Sequence, residues 1–273
     1  MSNPTDKAFA GPLSAVYAEH LVPLIFEPYA VDLVDRLLAR PRPITRLLEI
    51  AAGTGVVTRE LASRLPKSVE IVATDLNAAM LEQAATAGTS RPVEWQKADA
   101  MQLPFPDESF DAVVCQFGVM FFPDKGKAFA ETRRVLKPGG VFIFSVWDRM
   151  EDNDFGRLAH LAQESVFPAD PPRFLARVVF GHHDREVLTR ALVDGGFTAT
   201  PQIDTVTARS RASSPAIAAF AWCQGTPLRN EIETRDASRL DEATDAVAAL
   251  IAKHFGHGAV DGKIQAVVIT VEK

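Results

Sequence analysis

The chain has 273 residues, 47% of them hydrophobic and 23% charged, with a net charge of -6. That balance is ordinary for a globular protein and argues against a surface built for nucleic-acid phosphates. Cys115 and Cys223 give no disulfide framework, no apolar run reaches the ~18 residues of a membrane span, and Met1–Ala10 has no signal-peptide core, so the expectation is a cytoplasmic protein made of a core domain with a helical insertion.

Residues 1–12 carry Pro4, Gly11 and Pro12 and are expected to begin loosely. Residues 13–40 read as helix broken by Pro23 and Pro28, with Ala30, Leu33, Val34, Leu37 and Leu38 on one buried face. Pro41 and Pro43 end it. Alternation then begins: strand 46–51, a helix to Leu65, strand 69–74, and a helix capped by Asn77 and stopped at Gly88. Strands follow near 93–97 and at 111–117, then a helix at 124–136. Lys137-Pro138-Gly139-Gly140 has the residue order of a type II turn. Strand 141–147 is almost wholly apolar, as a strand covered on both faces should be. Residues 151–180 are helix-prone but interrupted by prolines, a helix returns at 184–194, and a strand lies at 203–209. Residues 213–230 and 237–255 read as helical, and 264–271 as a final strand. The fold class is therefore α/β, with a doubly wound, mostly parallel sheet. The domain expectation is an N-terminal helical lid over 1–45, a cofactor-binding half at 46–150, a helical insertion at 151–182 acting as substrate lid, and a C-terminal half at 183–273 whose segment 211–235 joins the lid.

Leu47-Leu48-Glu49-Ile50-Ala51-Ala52-Gly53-Thr54-Gly55 runs from an apolar strand into a glycine turn that opens a helix. Ligands of open α/β sheets bind at such carboxyl ends of strands. Asp75 closes the second strand, 20 residues after Gly55, where a carboxylate can accept from both hydroxyls of a ribose. Three features bear on the rest of the ligand. The third glycine of the dinucleotide fingerprint is replaced by Thr58. Glu49 would repel a pyrophosphate and attract an ammonium or sulfonium. Asp99, within Ala98-Asp99-Ala100, can accept from an exocyclic amine while a neighbouring N–H donates to the ring. Together they favour an adenosine whose tail is neutral or cationic.

Five segments, Leu47–Gly55, Ala73-Thr74-Asp75-Leu76, Ala98-Asp99-Ala100 with Leu103-Pro104-Phe105, Ser109-Phe110-Asp111-Ala112-Val113 and Arg134-Val135-Leu136-Lys137-Pro138-Gly139-Gly140, stand in order along the chain. This series resembles the class I S-adenosylmethionine-dependent methyltransferases, in particular their ubiquinone/menaquinone-biosynthesis-like branch of small-molecule enzymes. The resemblance implies a seven-stranded Rossmann-like sheet, with the last strand inserted antiparallel beside the fifth. It implies S-adenosylmethionine as cofactor and methyl transfer to a small, partly hydrophobic acceptor. For matching residues it implies Ala51, Gly53, Thr54 and Gly55 along the methionine moiety and Glu49 at its amino group. Asp75 would hold the ribose, Leu76 pack on the adenine, and Asp99, Ala100 and Met101 flank the adenine edge. Gln116 and Phe117 would lie beside the sulfonium, with Tyr17 covering the cofactor. Ala51 departs from the family, where glycine is more usual, and only a slight adjustment is expected. The alternatives are an NAD-dependent oxidoreductase, an enzyme that uses the donor's aminopropyl group or a variant donor, and a non-catalytic cofactor-binding module.

No general base stands out. His20, near the proposed lid, is the candidate catalytic histidine. His254 continues the stripe of Val247, Leu250 and Ile251 and reads as a core or pocket-edge histidine. His254 and His257 lack an acidic or thiol partner, so no metal site is expected. Cys115 reads as a small buried hydrophobe. The expected partner is a small-molecule acceptor, with no nucleic acid and no membrane span; a homodimer is compatible with the sequence.

Overall fold

A computed structural model describes residues 12–273. In chain order the helices are α1 (Pro12–Val16), α2 (Glu27–Leu38), α3 (Val56–Arg64), α4 (Ala78–Ala87), α5 (Lys125–Val135), α6 (Asp154–Val166), α7 (Arg185–Asp194), α8 (Pro215–Gln224), α9 (Leu228–Asp236) and α10 (Leu240–Phe255). The strands are β1 (Arg46–Ile50), β2 (Glu70–Asp75), β3 (Glu94–Lys97), β4 (Phe110–Gln116), β5 (Leu136–Trp147), β6 (Gln202–Ala212) and β7 (Val260–Glu272). They form one sheet in the order β3-β2-β1-β4-β5-β7-β6. The pairs from β3 to β5 are parallel. Lys273 N donating to Gly140 O and Asp148 N donating to Gln265 O set β7 antiparallel to β5. The expected architecture holds, including the inserted last strand.

The double winding is written in the alternation of the strands. Leu48, Val113, Cys115, Phe142, Phe144, Val267 and Ile269 face a core shared with Phe129 of α5 and Leu188 and Leu192 of α7. Leu47, Ala112, Val114, Val141, Ile143 and Val268 face the other core, shared with Leu33, Val34 and Leu37 of α2 and Val57 and Leu61 of α3. Phe142 stacks on Phe144 at 4.8 Å between ring centroids, and Phe129 lies 5.2 Å from Phe144.

The described residues fall into two compact units. The sheet unit holds Tyr29–Val146, His183–Val206 and Val267–Lys273. The helical unit holds the residues through Pro28, Trp147–His182 and Thr207–Ala266. Inside the helical unit α10 packs on α8 and α6, burying Trp222, Val247, Ile251 and Phe155.

Two expectations are corrected. Pro23 and Pro28 do not break the first helix. Tyr17–Phe26 is a π-helical stretch with Pro23 inside it, and Val16 and Glu27 at its two ends are both right-handed helical. The wider turn accommodates the ring that an α-helical turn would exclude. Lys137-Pro138-Gly139-Gly140 is not a free-standing turn but the irregular start of β5, where the register with β4 shifts between Phe110 and Ala112. Gly139 has φ +72°, and the Arg42 guanidinium occupies the place of a Cβ. The loose start expected for residues 1–12 lies outside the described residues except for Pro12, which opens α1. No helix among the described residues is long and apolar enough to cross a membrane.

Candidate functional site

The carboxyl ends of β1, β2, β3 and β4 bring the strand-end residues together in the sheet unit. Ala52 N donates to Thr74 O at 2.9 Å, which ties the start of the glycine turn to β2. Gly53 N then donates to Asp75 Oδ2 at 2.8 Å, so the glycine turn and the second-strand carboxylate are direct neighbours. Asp75 Oδ1 accepts from Asn77 N at 2.8 Å, while Asn77 caps α4 through Ala79 N at 3.0 Å. A carboxylate oxygen has two lone pairs, so Asp75 can hold both turns and still accept from a diol. Burial raises its proton affinity, and the N–H groups of Asn77, Gly53 and Leu76 oppose that rise. Leu76, beside it, is 46% exposed.

Glu49 is buried at the end of β1. Its Oε2 accepts from Thr58 Oγ1 at 2.5 Å, and its main-chain O accepts from Thr74 Oγ1 at 2.9 Å. Burial pushes its carboxyl up to about 8; the Thr58 hydroxyl pulls the other way, Asp75 adds to the rise, and Arg59 lowers it. A cation arriving beside this carboxyl favours the ionised form and reverses the shift. Arg59 Nη1 donates to Thr54 O at 2.7 Å, fastening the turn from α3.

The turn needs its small residues. Gly55, at φ +81°, begins α3, and a Cβ there would stand 3.0 Å from the Trp95 ring and 3.1 Å from Ala84. Ala51 has φ 55°, a left-handed conformation that costs a non-glycine residue ~1–2 kcal/mol. This is a larger departure than the slight adjustment expected, and it explains in backbone terms why glycine suits the position. A Cβ on Gly118 would lie 2.5 Å from the Ala51 methyl. At the end of β4, Phe117 also has a positive φ, 52°; its N donates to Ser145 O at 3.1 Å, and its ring meets Tyr29 edge-on at 5.2 Å. Beyond β3, Ala98 N donates to Asp75 O at 3.0 Å and Asp99 Oδ1 accepts from Met101 N at 2.9 Å, with Ala100 buried. Gln116 is buried and pairs in register with Ser145.

The cradle fits a polar ligand. Thr54 is 3% exposed, and its Oγ1 is buried with no hydrogen-bond partner among the described residues; Ser145 Oγ is in the same condition. A buried hydroxyl without a partner costs ~1–3 kcal/mol, which a ligand with hydrogen-bonding groups offsets. The donor set otherwise consists of carboxylates and main-chain N–H groups, the chemistry of a nucleoside with a cationic tail.

Tyr17 and His20 belong to the helical unit. Tyr17 packs on Phe26 at 5.3 Å. His20 meets Phe220 edge-on at 5.2 Å and lies 3.8 Å from Glu19 Oε1. The expectation for His254 is corrected: it is exposed, and its Nδ1 lies 2.8 Å from Leu250 O in its own helix. It shares the face of Val247 and Ile251 but stands in the last turn of α10, which ends at Phe255, beyond the covered part of that face. No cluster of metal-ligating residues occurs among the described residues. Cys115 is buried and its thiol is pushed up to about 12 by that burial. Sequence reasoning missed three contributors to the turn: Thr58, Arg59 and Trp95. Thr58 had left a signal, as the residue standing where a dinucleotide site needs glycine.

A sheet of this order, with carboxylates at successive strand ends around a glycine turn, defines the S-adenosylmethionine-binding class of Rossmann-like enzymes. Residues 48–144 match the family model described as a methyltransferase domain. The ubiquinone/menaquinone biosynthesis C-methyltransferase UbiE of Ectopseudomonas mendocina is 34% identical over 173 residues, covering 59% of this chain and 68% of that one. Among solved structures, an S-adenosylmethionine-dependent methyltransferase of Thermotoga maritima is similar in fold, with a TM-score of 0.55, 19% identity, and coverage of 98% and 100% of the two chains. Phosphoethanolamine N-methyltransferase 2 of Haemonchus contortus, solved with S-adenosyl-L-methionine, gives a TM-score of 0.60 at 16% identity, over 99% of this chain and 60% of that one. The chain belongs to the class I S-adenosylmethionine-dependent methyltransferases of the ubiquinone/menaquinone-biosynthesis-like type. It is an enzyme that transfers a methyl group to a small-molecule acceptor.

Proposed function

We infer that the strand-end residues hold S-adenosylmethionine in a fixed order. Glu49 receives the methionine ammonium, with Ala51, Gly53, Thr54 and Gly55 along the chain. Asp75 accepts from the ribose hydroxyls. Asp99 and the Ala100 N–H read the adenine edge, and Leu76 and Met101 pack on the ring. Gln116 and Phe117 lie beside the sulfonium, and Tyr17 covers the cofactor. The observation that carries this reading is the 2.8 Å bond from Gly53 N to Asp75 Oδ2, which supports a single cradle built from the glycine turn and the ribose carboxylate.

When bound, the cofactor supplies a methyl group already activated by positive sulfur. The chain's residues then need to hold donor and acceptor in line and keep water out, so proximity carries most of the rate. The acceptor is a small, partly hydrophobic molecule taken by the helical segments. Where the acceptor must lose a proton, His20 is the candidate base. The acidic charge balance supports a small-molecule acceptor over nucleic acid.

Calorimetry with S-adenosylhomocysteine tests the cradle. Asp75→Ala is expected to lose ~1–3 kcal/mol of affinity, the cost of unmet polar partners. Unchanged affinity removes Asp75 from the site, and no release of S-adenosylhomocysteine with any acceptor in a small-molecule panel would leave a binding module in place of an enzyme.

A further inference from the structure

We propose that Thr58 is the positioning residue for Glu49, holding its carboxyl ready to ionise, so that arrival of the cofactor's ammonium at the glycine turn drives a proton from Glu49 into solvent. The proposal rests on the reading of Glu49 as the group that receives the ammonium.

Thr58 lies on the first turn of α3 and is fully buried. A buried helix position facing a strand usually carries an aliphatic side chain, as Val57 and Leu61 do here. Threonine keeps nearly the volume of valine and adds one donor, and that donor is spent on Glu49 Oε2 at 2.5 Å. The sheet offers Glu49 no such help, because its register partners are Ala73 on β2 and Val114 on β4. The titratable groups facing it are Asp75 from β2, Arg59 from α3 and the Cys115 thiol from β4. Asp75 opposes ionisation. Arg59 favours it, but its guanidinium is bonded to Thr54 O. Cys115 stays neutral, since burial holds its thiol at about 12. The hydroxyl of Thr58 therefore sets how readily the carboxylate forms.

The step balances. The neutral carboxyl loses its proton to solvent as the ligand's positive charge enters, and the net charge of the site is unchanged. A site that exchanges a proton for a cation desolvates little additional charge.

The test measures affinity for S-adenosylhomocysteine by calorimetry from about pH 6 to about pH 9 in the wild type, Thr58→Val, Thr58→Ser and Glu49→Gln. The amine of the probe titrates identically against every variant and cancels in the ratios. Thr58→Val is expected to bind about tenfold more weakly near pH 6, equivalent to one unit of proton affinity, with the deficit closing toward pH 9. Thr58→Ser, which restores the hydroxyl, is expected to recover the wild-type profile. A deficit equal at every pH means that Thr58 only fills space and overturns the proposal, as does a Thr58→Val profile identical to wild type. If Glu49→Gln binds as tightly as wild type with the same profile, the reading of Glu49 itself fails, whatever Thr58 does. Thermal unfolding checks that each variant is folded, and Thr58→Ala replaces Thr58→Val if the latter is not.

Discussion

The sheet unit and the helical unit both bury their apolar side chains, yet they place their polar anchors at different points of the architecture. In the sheet unit, carboxylates near the ends of strands accept from main-chain N–H groups of the adjoining turns. Asp75 holds Gly53 and Asn77, Asp99 holds Met101, and at the amino edge Asp111 holds Thr45 and Arg46. In the helical unit the corresponding anchor is Glu231 on α9. It accepts from the N–H groups of Arg173 at 2.7 Å and Phe174 at 3.2 Å, and from Arg177 Nη2 at 2.8 Å. These three partners lie more than fifty residues away in the chain. Asp154 and Asn153 of the same unit accept from Lys263 N at 2.6 Å and Gln265 N at 3.0 Å, and rings pack on one another, Trp147 with Phe180 at 6.5 Å and Phe180 with Trp222 at 6.2 Å. The division is one of place: carboxylates gather at strand ends in the sheet unit and at junctions between elements in the helical unit.

Crowding a close approach in each unit tests the division most severely. Gly118→Ala would put a methyl 2.5 Å from Ala51 Cβ and 2.7 Å from Cys115 Sγ, and Gly156→Ala would put one 2.6 Å from the Phe180 ring. Each is expected to cost about 1–3 kcal/mol of stability by overpacking, read by chemical unfolding. Gly118→Ala should also weaken S-adenosylhomocysteine binding, and Gly156→Ala should leave it unchanged. Equal losses of affinity would erase the contrast.

A smaller effect comes from Asp111. Burial alone would raise its carboxyl, but Lys137, the Thr45 hydroxyl and the N–H groups of Thr45 and Arg46 together hold it down at about 2. A carboxyl depressed in the folded state adds stability that is present above about pH 4 and lost as pH falls toward about 2. The group is partly exposed, so screening reduces its worth. Asp111→Asn is expected to cost about 1 kcal/mol at neutral pH and to flatten the acid limb of the pH–stability curve without changing cofactor affinity. The smallest effect is a gain. Ala51→Gly relieves the left-handed strain at φ 55° but frees the unfolded chain, and a net stabilisation of about 0.5–1 kcal/mol follows. A loss of stability there would show that the Ala51 methyl packed against Gly118 outweighs the strain.

The same contrast explains what was legible in the sequence. The strands and the acidic residues at their ends were readable because each rests on a local signal: an apolar run, then an acid within a few residues. Asn77 was readable as a helix cap for that reason. Thr58 was noticed as a missing glycine, but its bond to Glu49 joins a helix to the strand before it and leaves no spacing rule behind. The π-helical passage through Pro23 was not legible, because proline is normally a helix breaker and only the neighbouring packing makes the wider turn worthwhile. Lys137-Pro138-Gly139-Gly140 carried strong turn chemistry, yet pairing with Lys273 at the far end of the chain draws it into β5. His254 followed the helical period and still came out exposed, since period assigns a face and not the extent of its covering.

The insertion of β7 between β5 and β6 governs the order in which the chain can assemble. Strands β1 to β5 are contiguous in the sheet, so a nascent polypeptide can pair all five once Trp147 has been synthesised. β6 then has no neighbour to join until a segment about fifty residues later has been made and slotted into place. The last strand therefore closes the longest loop of the sheet's carboxyl-terminal half, a non-local pairing of the kind that slows folding.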